Sequence, residues 1–121
     1  MKNQVTRLLI ETREFLADED RWIKNVLALK LTPSGYPEIA LPTDPEACGW
    51  SASGAVGKIF ASWNSPYWGI YKCAISALDM ASFAHGSIRG MNDYHLTTHD
   101  QILAAFDKAI ENLEAKEKAV K

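Results

Sequence analysis

Cross-linking residues are scarce in this sequence. Its 121 residues include two cysteines, Cys48 and Cys73, which lack CxxC spacing. Both fall in apolar patterns that predict helices, where a free cysteine usually packs as a small hydrophobic side chain, so we expect no disulfide. A chain of this length can bury roughly two thirds of the surface that it exposes when unfolded. We therefore expect one domain, residues 1–121, that folds without a metal or disulfide.

The sequence also lacks a large excess of charge of one sign and long apolar runs. The formal net charge of -2 is too small to attract a polyanion strongly, which disfavours dedicated nucleic-acid binding. The N-terminus is polar and has no signal-peptide pattern. The longest uncharged stretch, residues 59–71, contains Asn64 and Pro66 and is too short to span a bilayer. We expect a soluble, cytoplasmic protein that binds neither nucleic acid nor membrane.

Motifs for cofactors and catalysis are also missing. Gly49, Gly54 and Gly57 fall within a predicted helix, and not between a strand and a helix as in phosphate-binding loops. Ser51 and Ser53 have neither a GxSxG elbow nor a nearby histidine in sequence to act as a base. The sequence therefore predicts no cofactor and favours a protein that is not an enzyme.

The least charged part of the chain, residues 47–88, predicts two apolar helices that form the core. The first is expected to begin at Thr43-Asp44-Pro45-Glu46, where a capping side chain precedes a proline suited to the first helical position. The second is expected to follow Asn64-Ser65-Pro66 and to run from residue 67 to about residue 87, with Gly90 as its C-terminal cap.

Amphipathic helices are predicted at both ends of the chain. Apolar residues at helical spacing predict a first helix up to about Ala17, and the acidic residues 18–20 would begin a short new turn that carries Trp22. Thr98 and Gln101 form a capping-box pattern before the last helix. Its charged tail, residues 114–121, with Glu114/Lys118 and Glu117/Lys121 at i,i+4 spacing, is expected to project or fray.

A short β-hairpin is predicted after the first helix. Leu27, Leu29 and Leu31 alternate with other residues, and Thr32-Pro33-Ser34-Gly35 has the composition of a β-turn. Ile39 and Leu41 could form the returning strand. Such a two-stranded hairpin is stable only when it packs on a larger body. The predicted fold is therefore mainly α: a small bundle of about four helices, with two central apolar helices, and a short hairpin or extended arm.

Two blocks of sequence resemble a known family. They are Asp44-Pro45 with residues 47–55, and Asn92-Asp93 with residues 98–110; Trp22 and the Gly35 turn stand upstream. Together they resemble a family of small bacterial and phage proteins known only as a domain of unknown function. Its members commonly carry Cys where this chain has Ser51, which argues against a thiolate mechanism there. The resemblance implies a shape and no established activity.

The histidines form the densest cluster of candidate metal or acid–base groups. His95 and His99 are the candidate metal ligands, but Thr97 and Thr98 look like helix caps, which would place His95 in a loop and His99 in a first turn. The favoured interpretation is that Asn92 and Asp93 organise the loop through hydrogen bonds to the backbone, while the histidines are solvated. The cluster comprises His85, Asn92, Asp93, His95, His99 and Asp100.

Asp79 is a carboxylate in the middle of an apolar helix, where it is costly unless it is paired or reaches water. Lys58 and the indole N–H of Trp22 are the candidate partners. A structural pairing is favoured over a catalytic acid.

Aromatic residues are concentrated in the middle of the chain. Core packing or a dimer surface is favoured over a stacking pocket for a flat ligand, and Trp63 and Tyr67 are expected to be incompletely buried. The residues are Trp50, Phe60, Trp63, Tyr67, Trp68, Tyr71 and Phe83.

Two hypotheses for function follow. The first is a non-enzymatic protein that acts through a protein partner or through self-association as a homodimer. The alternative is a small-ligand-binding protein or minimal enzyme with a pocket between the hairpin and the central helices. That pocket would use Trp22, Trp50 and Asp79, with Asn92 and Asp93 at its mouth.

Overall fold

The computed structural model describes residues 4–120 and has five α-helices and a small antiparallel sheet within them. The mainly α class is confirmed, although the sheet has three strands where two were predicted. The elements are α1 (Gln4–Leu16), β1 (Ala28–Leu31), β2 (Pro37–Ile39), β3 (Ala47–Trp50), α2 (Ala52–Ser62), α3 (Trp68–Ala81), α4 (Ile88–Asp93) and α5 (His99–Val120), with short 3-10 turns at Glu19–Arg21 and Phe83–His85. None of these helices is both long and apolar enough to cross a membrane.

Helix α1 lies at the centre of the helical layer. It packs against α2, α3 and α5, and its inner side chains Leu8, Leu9 and Leu16 are fully buried. Thr12 is also fully buried, and its hydroxyl donates to the carbonyl of Leu8 one turn earlier (2.7 Å). The sequence predicted that the two apolar helices lie at the centre of the bundle. That prediction is wrong, because the central position, in contact with three other helices, is taken by the amphipathic helix α1.

The predicted helix start at Thr43-Asp44-Pro45-Glu46 is wrong. The carboxylate of Asp44 accepts from the N–H of Glu46 (2.9 Å) within a turn, and the chain then forms β3. Helix α2 begins later, with Ser51 as its N-cap: the Ser51 hydroxyl accepts from the N–H of Gly54 (3.1 Å). The residues Thr43-Asp44-Pro45-Glu46 are compatible with a turn as well as with a helix N-terminus. Here the pairing of β3 with β1 favours the turn.

The hairpin prediction is confirmed, and β1 is the middle strand of the sheet. Leu29 of β1 lies opposite Ile39 of β2 on one side and opposite Gly49 of β3 on the other. The outer edge of β3 is covered at Trp50, whose carbonyl accepts from the N–H of Ile23 (3.0 Å). Strand β2 forms the other edge.

The second apolar helix, α3, ends at Ala81, before the predicted residue 87. Gly86, with φ of 84°, reverses the chain before α4, a conformation that suits glycine. Gly90 is not a C-terminal cap: it lies in α4, where its N–H donates to the hydroxyl of Ser87 (3.0 Å).

The predicted short turn after α1 and the predicted capping box before α5 are both confirmed. Asp18 is the N-cap of the turn at Glu19–Arg21. In the capping box, the hydroxyl of Thr98 accepts from the N–H of Gln101 (3.2 Å), and the side chain of Gln101 accepts from the N–H of Thr98 (2.9 Å). Helix α5 continues to Val120, so the charged tail is helical; Lys121, one member of a predicted pair, lies outside the described residues.

Both cysteines differ from expectation. Cys48 lies in β3 and Cys73 in α3, and both are free and exposed. Neither packs as a buried hydrophobic residue.

An acid on α1 fixes the end of α2. The carboxylate of Glu11 accepts from Arg7 (2.7 Å) and from the indole N–H of Trp63 (2.9 Å). Partial burial acts to raise the pKa of Glu11, but these hydrogen bonds outweigh it and hold that pKa below its ordinary value.

Gly54 permits a close contact between α2 and the segment before β1. A Cβ atom at this position would lie 2.0 Å from the carbonyl oxygen of Leu27. We expect Gly54→Ala to lower the free energy of unfolding by about 1–3 kcal/mol, because the backbone must shift to remove the overlap. Urea denaturation measures this change. Gly69→Ala in α3 is the matched control, since its Cβ would have no atom within 4 Å, and it should be neutral or stabilising. Equal stability of both variants would contradict the prediction.

Candidate functional site

The side chain of Asn92 connects three separate segments of the chain. It is 1% exposed, at the end of α4. Its oxygen accepts from the indole N–H of Trp22 (2.7 Å) and from the backbone N–H of Ala52 (3.0 Å). Its nitrogen donates to the carbonyl of Ile23 (3.0 Å) and to the carboxylate of Asp93 (3.0 Å). All four hydrogen-bonding positions of the amide are therefore occupied within the protein.

Asp93 extends this connection to the segment before β1. Its carboxylate accepts from the backbone N–H of Asn25 (2.7 Å). Asn25 has φ of 77°, a left-handed conformation that asparagine adopts more readily than most residues. Lys24 donates to the carbonyl of Tyr94 (2.6 Å). Residues 22–25 are thus bound along the C-terminal end of α4. The prediction that Asn92 and Asp93 organise a loop of their own is wrong, because both residues lie in α4 and their side chains bind the backbone of residues 23, 25 and 52.

The two tryptophans proposed for a ligand pocket also have partners inside the protein. Trp50 is 5% exposed, and its indole N–H donates to the carbonyl of Pro42 (2.9 Å). The ring of Phe15 meets the Trp50 ring edge to face, with centroids 4.9 Å apart. The ring of Trp22 lies 5.9 Å from that of His99.

Asp79 has neither of its predicted partners. Its carboxylate accepts from the backbone N–H of Ile88 (2.9 Å), the first residue of α4. Lys58 instead lies over the rings of Phe15 and Trp50, and Trp22 donates to Asn92. The first N–H groups of a helix have no partner within it, so a carboxylate from α3 satisfies one of them.

The three histidines lie in different environments. His85 and His95 are exposed, and the ring of each contacts the ring of Tyr94. His99 is buried, with its Nε2 2.6 Å from the carbonyl oxygen of Leu16, the last residue of α1. The expectation that all three are solvated is therefore wrong for His99. Among the described residues, no group of three or more His, Cys, Asp or Glu side chains could hold a metal ion.

The cavity beside Asn92 is small. Its volume is about 10 Å³, and it is lined by residues 25–27, Ser51, Ser53 and Arg89 together with Asn92 and Asp93. That volume is close to the minimum for one water molecule. The use of Trp22, Trp50, Asp79, Asn92 and Asp93 for ligand binding stays a prediction, and the hydrogen bonds of these residues favour a structural role.

Sequence reasoning missed an exposed apolar surface on the hairpin. Leu31, Ile39 and Leu41 are 62%, 74% and 72% exposed, while Ala28 and Ala40 are buried beneath the sheet. We call the outward side chains of Leu31, Pro37, Ile39 and Leu41 the hairpin face. The alternation of leucines in β1 was the available signal, but alternation does not tell which side of a strand is outward.

A salt bridge lies on the inner side of the hairpin. Lys30 Nζ is 3.3 Å from the carboxylate of Asp44. This hydrogen bond and the charge of Asp44 raise the pKa of Lys30. The backbone N–H of Glu46, with Lys30, lowers the pKa of Asp44 despite some burial. The two charges fasten β1 to the turn before β3.

A groove of about 420 Å³ runs between α3 and α5. It is mostly apolar, and Cys73, Ala77, Met80, Ala109 and Leu113 lie along it, with Lys116 at one end. The side chain of Met80 is 68% exposed.

The sequence blocks that carried the family resemblance meet in space. Trp22 from the upstream segment and Ala52 from the first block both donate to Asn92 of the second block. The model of a family of unknown function, DUF6197, matches residues 1–112. The chain belongs to this family. No curated protein and no solved structure matches the chain. Membership in DUF6197 thus brings no activity with it, and function must be argued from the geometry.

Removal of the Asn92 amide should destabilise the fold. Asn92→Ala leaves the indole N–H of Trp22 and the N–H of Ala52 without their acceptor, so we expect the free energy of unfolding to fall by about 2–4 kcal/mol. Chemical denaturation measures the loss, and the indole N–H resonance of Trp22 should shift. Asn112→Ala, at an exposed position of α5, is the control and should change stability by less than about 0.5 kcal/mol. A stable Asn92→Ala protein would refute the structural role.

Loss of the Asp79 carboxylate should loosen α4. We expect Asp79→Ala to lower the free energy of unfolding by about 1 kcal/mol, as for the loss of other helix caps. Asp79→Asn, which retains an acceptor oxygen, should lose less. Amide hydrogen exchange at Ile88 reports directly on this bond. Unchanged exchange at Ile88 in Asp79→Ala would contradict the assignment.

Proposed function

We propose that this chain is a non-enzymatic binding protein that associates with another protein chain through the hairpin face and the free edge of β2. One observation carries the proposal: three large aliphatic side chains, Leu31, Ile39 and Leu41, are exposed together on one side of a hairpin. Exposed apolar residues scattered singly need no explanation, whereas a contiguous group indicates an interaction surface.

The orientation of the hairpin strengthens this interpretation. A half-buried antiparallel sheet normally turns its large apolar side chains to the core and its polar side chains to water. Here the inner side carries Ala28 and Ala40, which are buried, and Lys30, which pairs with Asp44. The large aliphatic side chains are left outside. Full burial of each would contribute roughly 1.5–3 kcal/mol before the cost of association is subtracted.

The backbone of β2 offers a second means of binding. All three residues of this strand are exposed, and the strand lies at the edge of the sheet. An open edge can accept a further strand from a partner, with main-chain hydrogen bonds supplying affinity and side chains supplying specificity.

The polar groups of the alternative ligand site are already used inside the protein. Asn92 makes four hydrogen bonds, the carboxylate of Asp79 accepts from the first N–H of α4, and the nearby cavity of about 10 Å³ is close to the minimum size for one water molecule. A small ligand would have to displace these contacts. We therefore favour protein binding over small-ligand binding or catalysis.

Photo-crosslinking tests the proposal in the producing cells. A photoreactive residue replaces Ile39 in one variant and Leu96, which is 64% exposed outside the hairpin, in the control. We expect a defined protein adduct from position 39 that is reduced about tenfold by the additional change Leu31→Lys, since a buried charge opposes the contact. Adducts that are the same from both positions, or that do not respond to Leu31→Lys, would refute the proposal.

A further inference from the structure

The backbone of β2 divides into groups that face β1 and groups that face outward. The N–H of Ala40 donates to Ala28 (3.0 Å), and the carbonyl of Tyr36 accepts from Thr32 (3.0 Å). Because backbone groups alternate along a strand, Glu38 also faces β1, whereas the groups of Pro37 and Ile39 point away from the sheet. Leu41 follows in the outward phase and precedes Pro42, which favours an extended conformation.

This outward edge has a specific pattern of donors and acceptors. Ile39 offers both an N–H and a carbonyl. Pro37 offers a carbonyl but has no N–H. Leu41 offers an N–H, while its carbonyl already accepts from the N–H of Asp44 (3.0 Å). The missing donor at Pro37 and the occupied acceptor at Leu41 lie two residues to either side of Ile39.

We propose that β2 pairs antiparallel with β2 of a second copy of this chain, with Ile39 opposite Ile39 across a two-fold axis. The inference rests on the proposed function and names the partner as the chain itself. In this register the two Ile39 residues exchange two hydrogen bonds. Pro37 lies opposite Leu41 of the second copy, so each Leu41 N–H donates to a Pro37 carbonyl. Pro37 has no N–H to donate to the opposite Leu41 carbonyl. That carbonyl needs no donor from the second copy, because it already accepts from the N–H of Asp44 in its own chain.

The side chains fit the same register. Pro37, Ile39 and Leu41 lie on one side of the strand, so the hairpin faces of both copies join into one apolar surface. Glu38, the only charged residue of β2, points to the other side and lies opposite Ala40 of the second copy. A slip that places Pro37 opposite Ile39 would put the two Glu38 side chains directly opposite each other and leave the Ile39 carbonyls unpaired. Like charges in that position are destabilising, so the register is specific.

The second edge of the sheet does not compete for this pairing. At Trp50 it is covered by Ile23, and Cys48 is an extra residue in β3 that interrupts the ladder. The paired segment is short, about five residues in each copy, against roughly 20–30 in a standard interface. We therefore expect a weak dimer that forms as the protein concentration rises.

A charge-swap experiment tests the register. Sedimentation velocity is measured from about 1 μM to about 1 mM for the full chain, for Ile39→Lys, for Ile39→Glu, and for an equimolar mixture of the two variants. The unmodified chain should dimerise. Each variant alone should dimerise at least about tenfold more weakly, because like charges would meet at the axis, and the mixture should recover dimerisation. Leu96→Lys is the control and should dimerise like the unmodified chain; circular dichroism checks that each variant is folded.

Amide hydrogen exchange gives a second measurement that needs no substitution. The N–H of Ile39 should exchange more slowly at high protein concentration, while that of Ala40, which is bonded to Ala28, should not change. A chain that is monomeric at all concentrations, or a dimer that survives Ile39→Lys, would overturn the inference. If a monomeric chain still gives an adduct with a different protein from position 39, the proposed function stands and self-pairing fails; if that adduct is also missing, both fail.

Discussion

The amide of Asn92 is the interaction on which the arrangement of this protein depends. Its hydrogen bonds hold the segment before the sheet and the start of α2 against the end of α4, at a buried position. Each of its partners is a polar group that would cost about 1–3 kcal/mol if it were buried without a hydrogen bond. Residues 22 and 23, which Asn92 holds in place, also lie along β3 and cover its edge at Trp50. The hydrogen bonds of Asn92 and the covering of this sheet edge are therefore linked.

Local signals predicted the parts of the fold that local contacts decide. The capping box of Thr98 and Gln101 and the turn capped by Asp18 were predictable, since all their partners lie within three residues. The turn at Asp44 has the same composition as a helix start and was misread, because the decisive interaction is the pairing of β3 with β1, some twenty residues earlier. Cys48 was placed in a helix for the same reason.

The residues of the candidate site were predictable from the sequence, but their hydrogen-bond partners were not. Asn92, Asp93 and Trp22 were each identified from sequence, yet a hydrogen bond across seventy residues has no local pattern. The partner of Asp79 was sought among cations and indoles and is a backbone N–H of α4, which was not predicted as a separate helix. Likewise, the alternation of Leu29 and Leu31 indicates that they share a side of the strand, but it does not indicate that Ala28 and Ala40, on the opposite side, are the buried residues.

The covered edge of β3 has a consequence for assembly. A sheet with two open edges can add strands without limit, as filaments do, and the contact is then propagated from copy to copy. In the described part of this chain Ile23 covers the outer edge of β3 at Trp50, the bulge at Cys48 makes that strand irregular, and the edge of β2 is open. Any association through that edge is therefore finite: two copies consume both open edges, and polymerisation stops at the pair.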